Sequence, residues 1–123
     1  MAKITAQNLK DLGFVPEMFA NQSTGTFDAF LAAVIDEQAE LLTVRIGSSR
    51  YSDTGTMAIY VAYAEKSLCI AELWDRRITT KLGQAKFGGE TQVSTAFEEK
   101  QRDYWRGEGE RIISAKIISD SAE

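Results

Sequence analysis

The stretch TMAIYVAYAEKSLCIAELWDRR, Thr56 to Arg77, decides the fold. Its apolar residues run from Met57 to Trp74, about five helical turns at 3.6 residues per turn. Neither Gly nor Pro interrupts it. A helix that is apolar on nearly every side is buried by other helices. Glu65, Lys66 and Glu72 make it too polar to cross a bilayer. The stretch therefore reads as the central post of a small all-α domain, and nothing in it looks like chemistry.

The rest of the chain supplies what such a post needs around it. Thr26 to Gly47 is an amphipathic helix, with Phe27, Phe30, Leu31, Val34, Ile35, Leu41 and Leu42 on one face. Asp28, Asp36, Glu37 and Glu40 lie mostly on the other face. Thr26 is the expected N-cap, Arg45 favours the last turn, and Gly47 ends the helix. Upstream, Ile4 to Gly13 reads as a short helix capped by Thr5, and Pro16-Glu17 starts one further turn. Asn21 to Gly25 is a polar turn and Ser48 to Gly55 a loop by composition.

Downstream of the post, Ile78 to Ala96 breaks the helical pattern with Thr, Val, Phe and three glycines. It reads as an extended arm, or as two short strands around Gly88-Gly89, and as the segment most suited to a partner. Phe97 to Ile118 returns to helix, with Thr95 and Glu98 spaced as a capping box. Phe97, Gln101, Tyr104, Trp105, Ile112, Ile113 and Ile117 are expected to share a broad face. Gly107 and Gly109 mark a kink or a close backbone approach, and Ser119 to Glu123 is a polar tail. The fold expected is thus a bundle of four main helices with a Gly-rich arm between the last two, in one domain of 123 residues.

Composition narrows the function. The net charge of −4 argues against a protein that reads DNA with a basic face. The chain has no histidine, which removes the commonest general base and metal ligand. The lone cysteine, Cys69, sits inside the post and reads as a core hydrophobe in a reducing compartment. No signal-peptide pattern opens the chain, so the expected setting is cytoplasm or something assembled there.

Three constellations bear on possible chemistry. Asp36, Glu37, Glu40, Glu98 and Glu99 read as solvated carboxylates, not a catalytic or metal pair. The glycines near LGQAKFGGE lack phosphate-loop and dinucleotide spacing. Arg102, Tyr104, Trp105, Arg106 and Arg111 suit a protein interface better than nucleic acid, given the acidic total. No catalytic, cofactor or metal residues are expected. Arg76-Arg77 complement a helix C-terminus, or meet an acidic partner or phosphate.

The helix order then becomes familiar. ITAQNLKDLG opens the chain, FDAFLAAVIDEQAELLTVRIG follows, and the buried helix closes with Leu73-Trp74-Asp75-Arg76-Arg77. Ser94, Phe97, Tyr104 and Ile112-Ile113 mark the last helix. From Ile4 to about Ile118 this resembles the head–tail adaptors of tailed bacteriophages, also called head-completion or connector proteins. The resemblance rests on helix order and apolar spacing. It implies a non-enzymatic virion-assembly protein, made in host cytoplasm, that forms a ring of about twelve copies on the portal protein. Such a ring offers a platform to a stopper or tail-completion protein, lets DNA pass without specific binding, and involves no membrane. The arm and the last helix would contact neighbouring subunits or the portal. The interface candidates are Arg76, Arg77, Lys81, Lys86, Phe87 and Val93, then Trp105, Arg106, Arg111 and Lys116. The alternative function is a small cytoplasmic protein-binding module, a regulator or chaperone.

Overall fold

A computed structural model describes residues 2–20, 24–87 and 93–118. Every regular element among them is helical. Helix α1 spans Ala6–Lys10, α2 Thr24–Ile46, α3 Ser48–Tyr51, α4 Thr56–Phe87 and α5 Ala96–Ile112. A 3-10 turn covers Pro16–Phe19, and α5 runs on into a wider π turn over Ile113–Ile118.

The central post is confirmed and is longer than expected. Val61, Ala64, Cys69, Ile70, Ala71 and Leu73 are buried, as the quoted stretch predicts. Helix α4 does not stop at Arg77, however, and continues through the first ten residues assigned to the arm. Ile78, Thr79 and Thr80 carry a β-branched signal that points away from helix. Tertiary packing overrides it, because Ile78 and Ala85 are buried on one face two turns apart. The Thr79 and Thr80 hydroxyls donate back to the Asp75 and Arg76 carbonyls, at 3.3 and 3.0 Å. The proposed hairpin at Gly88-Gly89 lies outside the described residues, as do the start of the polar turn, Asn21 to Ser23, and the tail from Ser119.

Two apolar clusters hold α1, α2 and α5 against α4. One gathers Leu9, Phe14, Phe19, Phe27, Leu31 and Val34 with Cys69, Ile70 and Leu73. Phe19 is its hub, with ring centroids 6.0 Å from Phe27 and 5.0 Å from Phe30. The other joins Leu42, Ile46 and Tyr51 to Val61, Ala64, Ile112, Ile113 and Ile117. Helix α4 takes part in both, and α2 and α5 flank it.

Local signals explain most boundaries. The Thr5 hydroxyl accepts from the Asn8 amide, while the Asn8 side chain accepts from the Thr5 amide at 2.9 Å. Gly13 and Gly47 adopt φ of 103° and 92°, conformations in which a Cβ is disfavoured, and they end α1's turn and α2. Thr26 is not the N-cap, because α2 begins at Thr24. The loop expected at 48–55 contains α3, a single turn whose purpose is to bury Tyr51. The capping box at Thr95 does not form. Its hydroxyl donates to the Glu99 carboxylate instead, and Glu98 turns inward.

Candidate functional site

The interface candidates fall into separate neighbourhoods. Arg76 and Arg77 are not at a helix terminus, so the dipole role is overturned by the extension of α4. Arg76 donates to Glu72 at 2.7 Å, lies 3.5 Å from Glu37 of α2, and covers the Phe30 ring. Arg77 donates to the Met18 carbonyl at 2.9 Å, tying α4 to the 3-10 turn.

One turn further along, Arg77, Lys81 and Val93 line a recess of about 170 Å³ with Gln84 and Ala85. Beside it, Lys81 donates to the Ser94 carbonyl at 2.8 Å and to Glu98 at 3.0 Å. Glu98, expected as a solvated carboxylate, is buried instead, and its Oε1 has no hydrogen-bond partner among the described residues. Burial works to raise its pKa. The Lys81 hydrogen bond, its own helix amide and the Lys81 and Arg77 charges outweigh that and hold it below the ordinary carboxylate value. A depressed carboxylate contributes stability above its unfolded pKa, and that contribution is lost as pH falls through the folded value. The Lys81→Met variant is therefore expected to unfold at a higher pH on acid titration than the parent. An unchanged acid midpoint in tryptophan fluorescence would remove Lys81 as the cause.

Trp105 belongs to a different surface. With Leu12, Phe14, Ile70, Trp74 and Gln101 it lines a groove of about 200 Å³ where the α1 turn, α4 and α5 meet. Phe97 meets Trp74 edge-on at 5.7 Å, and Tyr104 meets Trp105 edge-on at 5.2 Å. Phe97 and Tyr104 do not face the core as expected. They remain 60% and 58% exposed, because Trp105, Ile112 and Ile113 already fill the contact with α4. Arg106 is exposed, Arg111 is engaged by Glu108 at 3.0 Å, and Lys116 stands 5.9 Å over the Tyr60 ring. The side chains of Lys86 and Phe87 lie outside the described residues.

The outer face of α2 was missed. Val44 is 80% exposed and Leu41 is also open, although Leu41 fits the apolar spacing of the buried face. Leu42 and Ile46 occupy that contact, and Leu41 is rotated out of it. Beside them a cleft of about 440 Å³ runs between α2 and α3, lined by Asp36, Ala39, Glu40, Thr43 and Tyr51. Asp36, Glu37 and Glu40 are exposed, as the sequence suggests, and Asp36 and Glu40 make no ion pair among the described residues.

A third feature lies at Glu65, which in the sequence is only a polar interruption of the post. Glu65 has 0% exposure. It accepts from the backbone amides of Lys3 at 2.7 Å and Ile4 at 3.0 Å, and from the Tyr51 hydroxyl. Lys3 Nζ lies 4.9 Å from the centroid of the Tyr51 ring. Burial and the bond to Glu65 push the Tyr51 hydroxyl pKa up. Burial, then the charges of Glu65 and Glu72, does the same to the Cys69 thiol, so it is a poor nucleophile. A buried carboxylate held through one oxygen by two backbone amides and through the other by the Tyr51 hydroxyl is a clasp for the segment at Lys3 and Ile4.

Among the described residues, no group of three or more metal-ligating side chains comes together, and no helix is long and apolar enough to cross a membrane. No protein family, curated relative or solved structure matches the chain. The described residues thus define an all-helical protein with large apolar side chains exposed on the outer sides of α2 and α5, at Ile59 and Leu82 of α4, and at Leu12 and Val15 after α1.

Proposed function

We propose that this chain is a structural virion-assembly protein, a non-enzymatic head–tail adaptor that forms a ring on a portal protein and presents a platform to a stopper or tail. The observation that carries the reading is the exposure of Val44, Phe97 and Tyr104 on a small helical body. Apolar and aromatic side chains left open in this way suit protein partners. In this reading α1, α2, α4 and α5 are the four main helices of the bundle. The connection between α4 and α5 supplies the arm, and the recess at Arg77, Lys81 and Val93 lies beside its end. The net charge of −4 suits a channel through which DNA moves without adhering. The setting is the head–tail interface of a virion, with assembly in host cytoplasm.

Quantitative mass spectrometry of purified particles tests this. One copy per portal subunit is expected. Abundance in the lysate with absence from intact particles would replace the adaptor with the small binding module.

A further inference from the structure

Two of the exposed apolar faces, the outer sides of α2 and α5, carry charges of opposite sign that are unpaired among the described residues. On α2, Ala29, Ala33, Glu37, Glu40 and Val44 follow one another at three- and four-residue spacing along the outer side, with Leu41 at its edge. The alanines keep this side low, so a neighbouring helix can approach closely. On α5, Phe97, Lys100, Tyr104, Gly107 and Arg111 form a second outer stripe. A Cβ at Gly107 would meet nothing within 4 Å, so the stripe is open there. Each face combines large apolar groups with a charge that has no ionic partner among the described residues: Glu40, with Asp36 beside it, on α2 and Lys100 on α5.

We infer that the occupant of each face is the other face of a second copy of this chain. Leu41 and Val44 of one copy pack on Phe97 and Tyr104 of the next, with Glu40 against Lys100. An α5–α5 pairing with its two-fold axis at Lys100 would oppose Lys100 to Lys100. An α2–α2 pairing with its two-fold axis at Glu40 would oppose Glu40 to Glu40. Like charges in contact disfavour both symmetric pairings. The unlike pairing leaves one α2 face and one α5 stripe free at the ends of every dimer. Such a heterologous contact propagates from copy to copy and closes only if its rotation permits a ring. The contact deepens the assembly reading proposed above by naming the two surfaces that meet.

The test is a charge exchange on the full chain, read by sedimentation equilibrium and native mass spectrometry. Glu40→Lys and Lys100→Glu are each expected to weaken self-association about tenfold or more. The double variant Glu40→Lys/Lys100→Glu, which restores opposite charges across the contact, is expected to recover most of the loss. Both positions are exposed, and a thermal melt of each variant checks that it folds. A parent chain that stays monomeric at its highest soluble concentration overturns the proposal. Single variants that associate as the parent does, or a double variant no better than the singles, overturn it equally. The particle count keeps the two ideas apart. Full copy number with association indifferent to these charges sinks only the contact, and charge-dependent association without copies in particles sinks only the adaptor.

Discussion

The Glu65→Ala variant is expected to lose about 3–5 kcal/mol of unfolding free energy, the cost of leaving several buried hydrogen-bond donors without an acceptor. Three donors converge on this carboxylate: the Lys3 and Ile4 amides and the Tyr51 hydroxyl. Truncation leaves them facing a cavity, and each donor that stays buried and unbonded costs about 1–3 kcal/mol. Part of that is relieved if residues 2–4 peel away and recover water, but Ile4 then leaves the core cluster that also holds Leu9 and Phe14. Glu65→Gln keeps the shape and one acceptor, so it is expected to lose clearly less. Tyr51→Phe removes a single donor and is expected to fall between Gln and the parent. Urea denaturation measures all three. Equal loss for Ala and Gln would show that the filled volume and the remaining acceptor count for little and that loss of the second acceptor carries the whole effect.

Gly109 is the second position where a small change has a large expected effect. Helices α4 and α5 come so close there that a Cβ would stand 2.8 Å from Leu68 Cδ2 and 3.0 Å from Leu68 Cγ. A β-branched side chain cannot avoid that contact, and Gly109→Val is expected to cost about 3 kcal/mol through overpacking. Gly107, two residues earlier in the same helix, has open space around its Cα. Gly107→Ala is expected to stabilise the protein by about 1 kcal/mol, the ordinary helix-propensity difference. The opposite signs separate packing from propensity. In a Leu68→Ala background the Gly109→Val cost is expected to shrink, since the obstructing side chain is gone. An undiminished cost there would place the strain in the backbone rather than against Leu68.

Much of this fold was legible because its strongest signals are local and periodic. The post at Thr56 to Arg77, the buried side of α2, the Thr5 cap and the stops at Gly13 and Gly47 all follow from residue type and spacing. The failures share one cause. Ile78 to Phe87 is helical because of what it packs against, and Ile78-Thr79-Thr80 alone gives the contrary signal. Tyr51 and Glu65 are fourteen residues apart, and their union appears only when α3 is set beside α4. Phe97 and Tyr104 satisfy a helical apolar pattern as well as Trp105 does, and only the position of α4 decides which of them is covered. For the candidate site, Arg77, Lys81 and Val93 do share a recess, whereas the α2 face was hidden inside an apparently simple core pattern.

The Glu65 clasp also bears on the order in which the molecule comes together. It closes a loop of 62 residues between Lys3 and the centre of α4 without any covalent link. Confining the ends of a flexible loop of that length costs roughly 4 kcal/mol of chain entropy, which two or three hydrogen bonds can offset only once water is excluded from them. The body of the bundle must therefore exist before the N-terminal segment can dock. The same logic in reverse makes that segment the first to come loose under mild denaturant. Residues 3 and 4 thus report on whether the remainder of the fold has already closed.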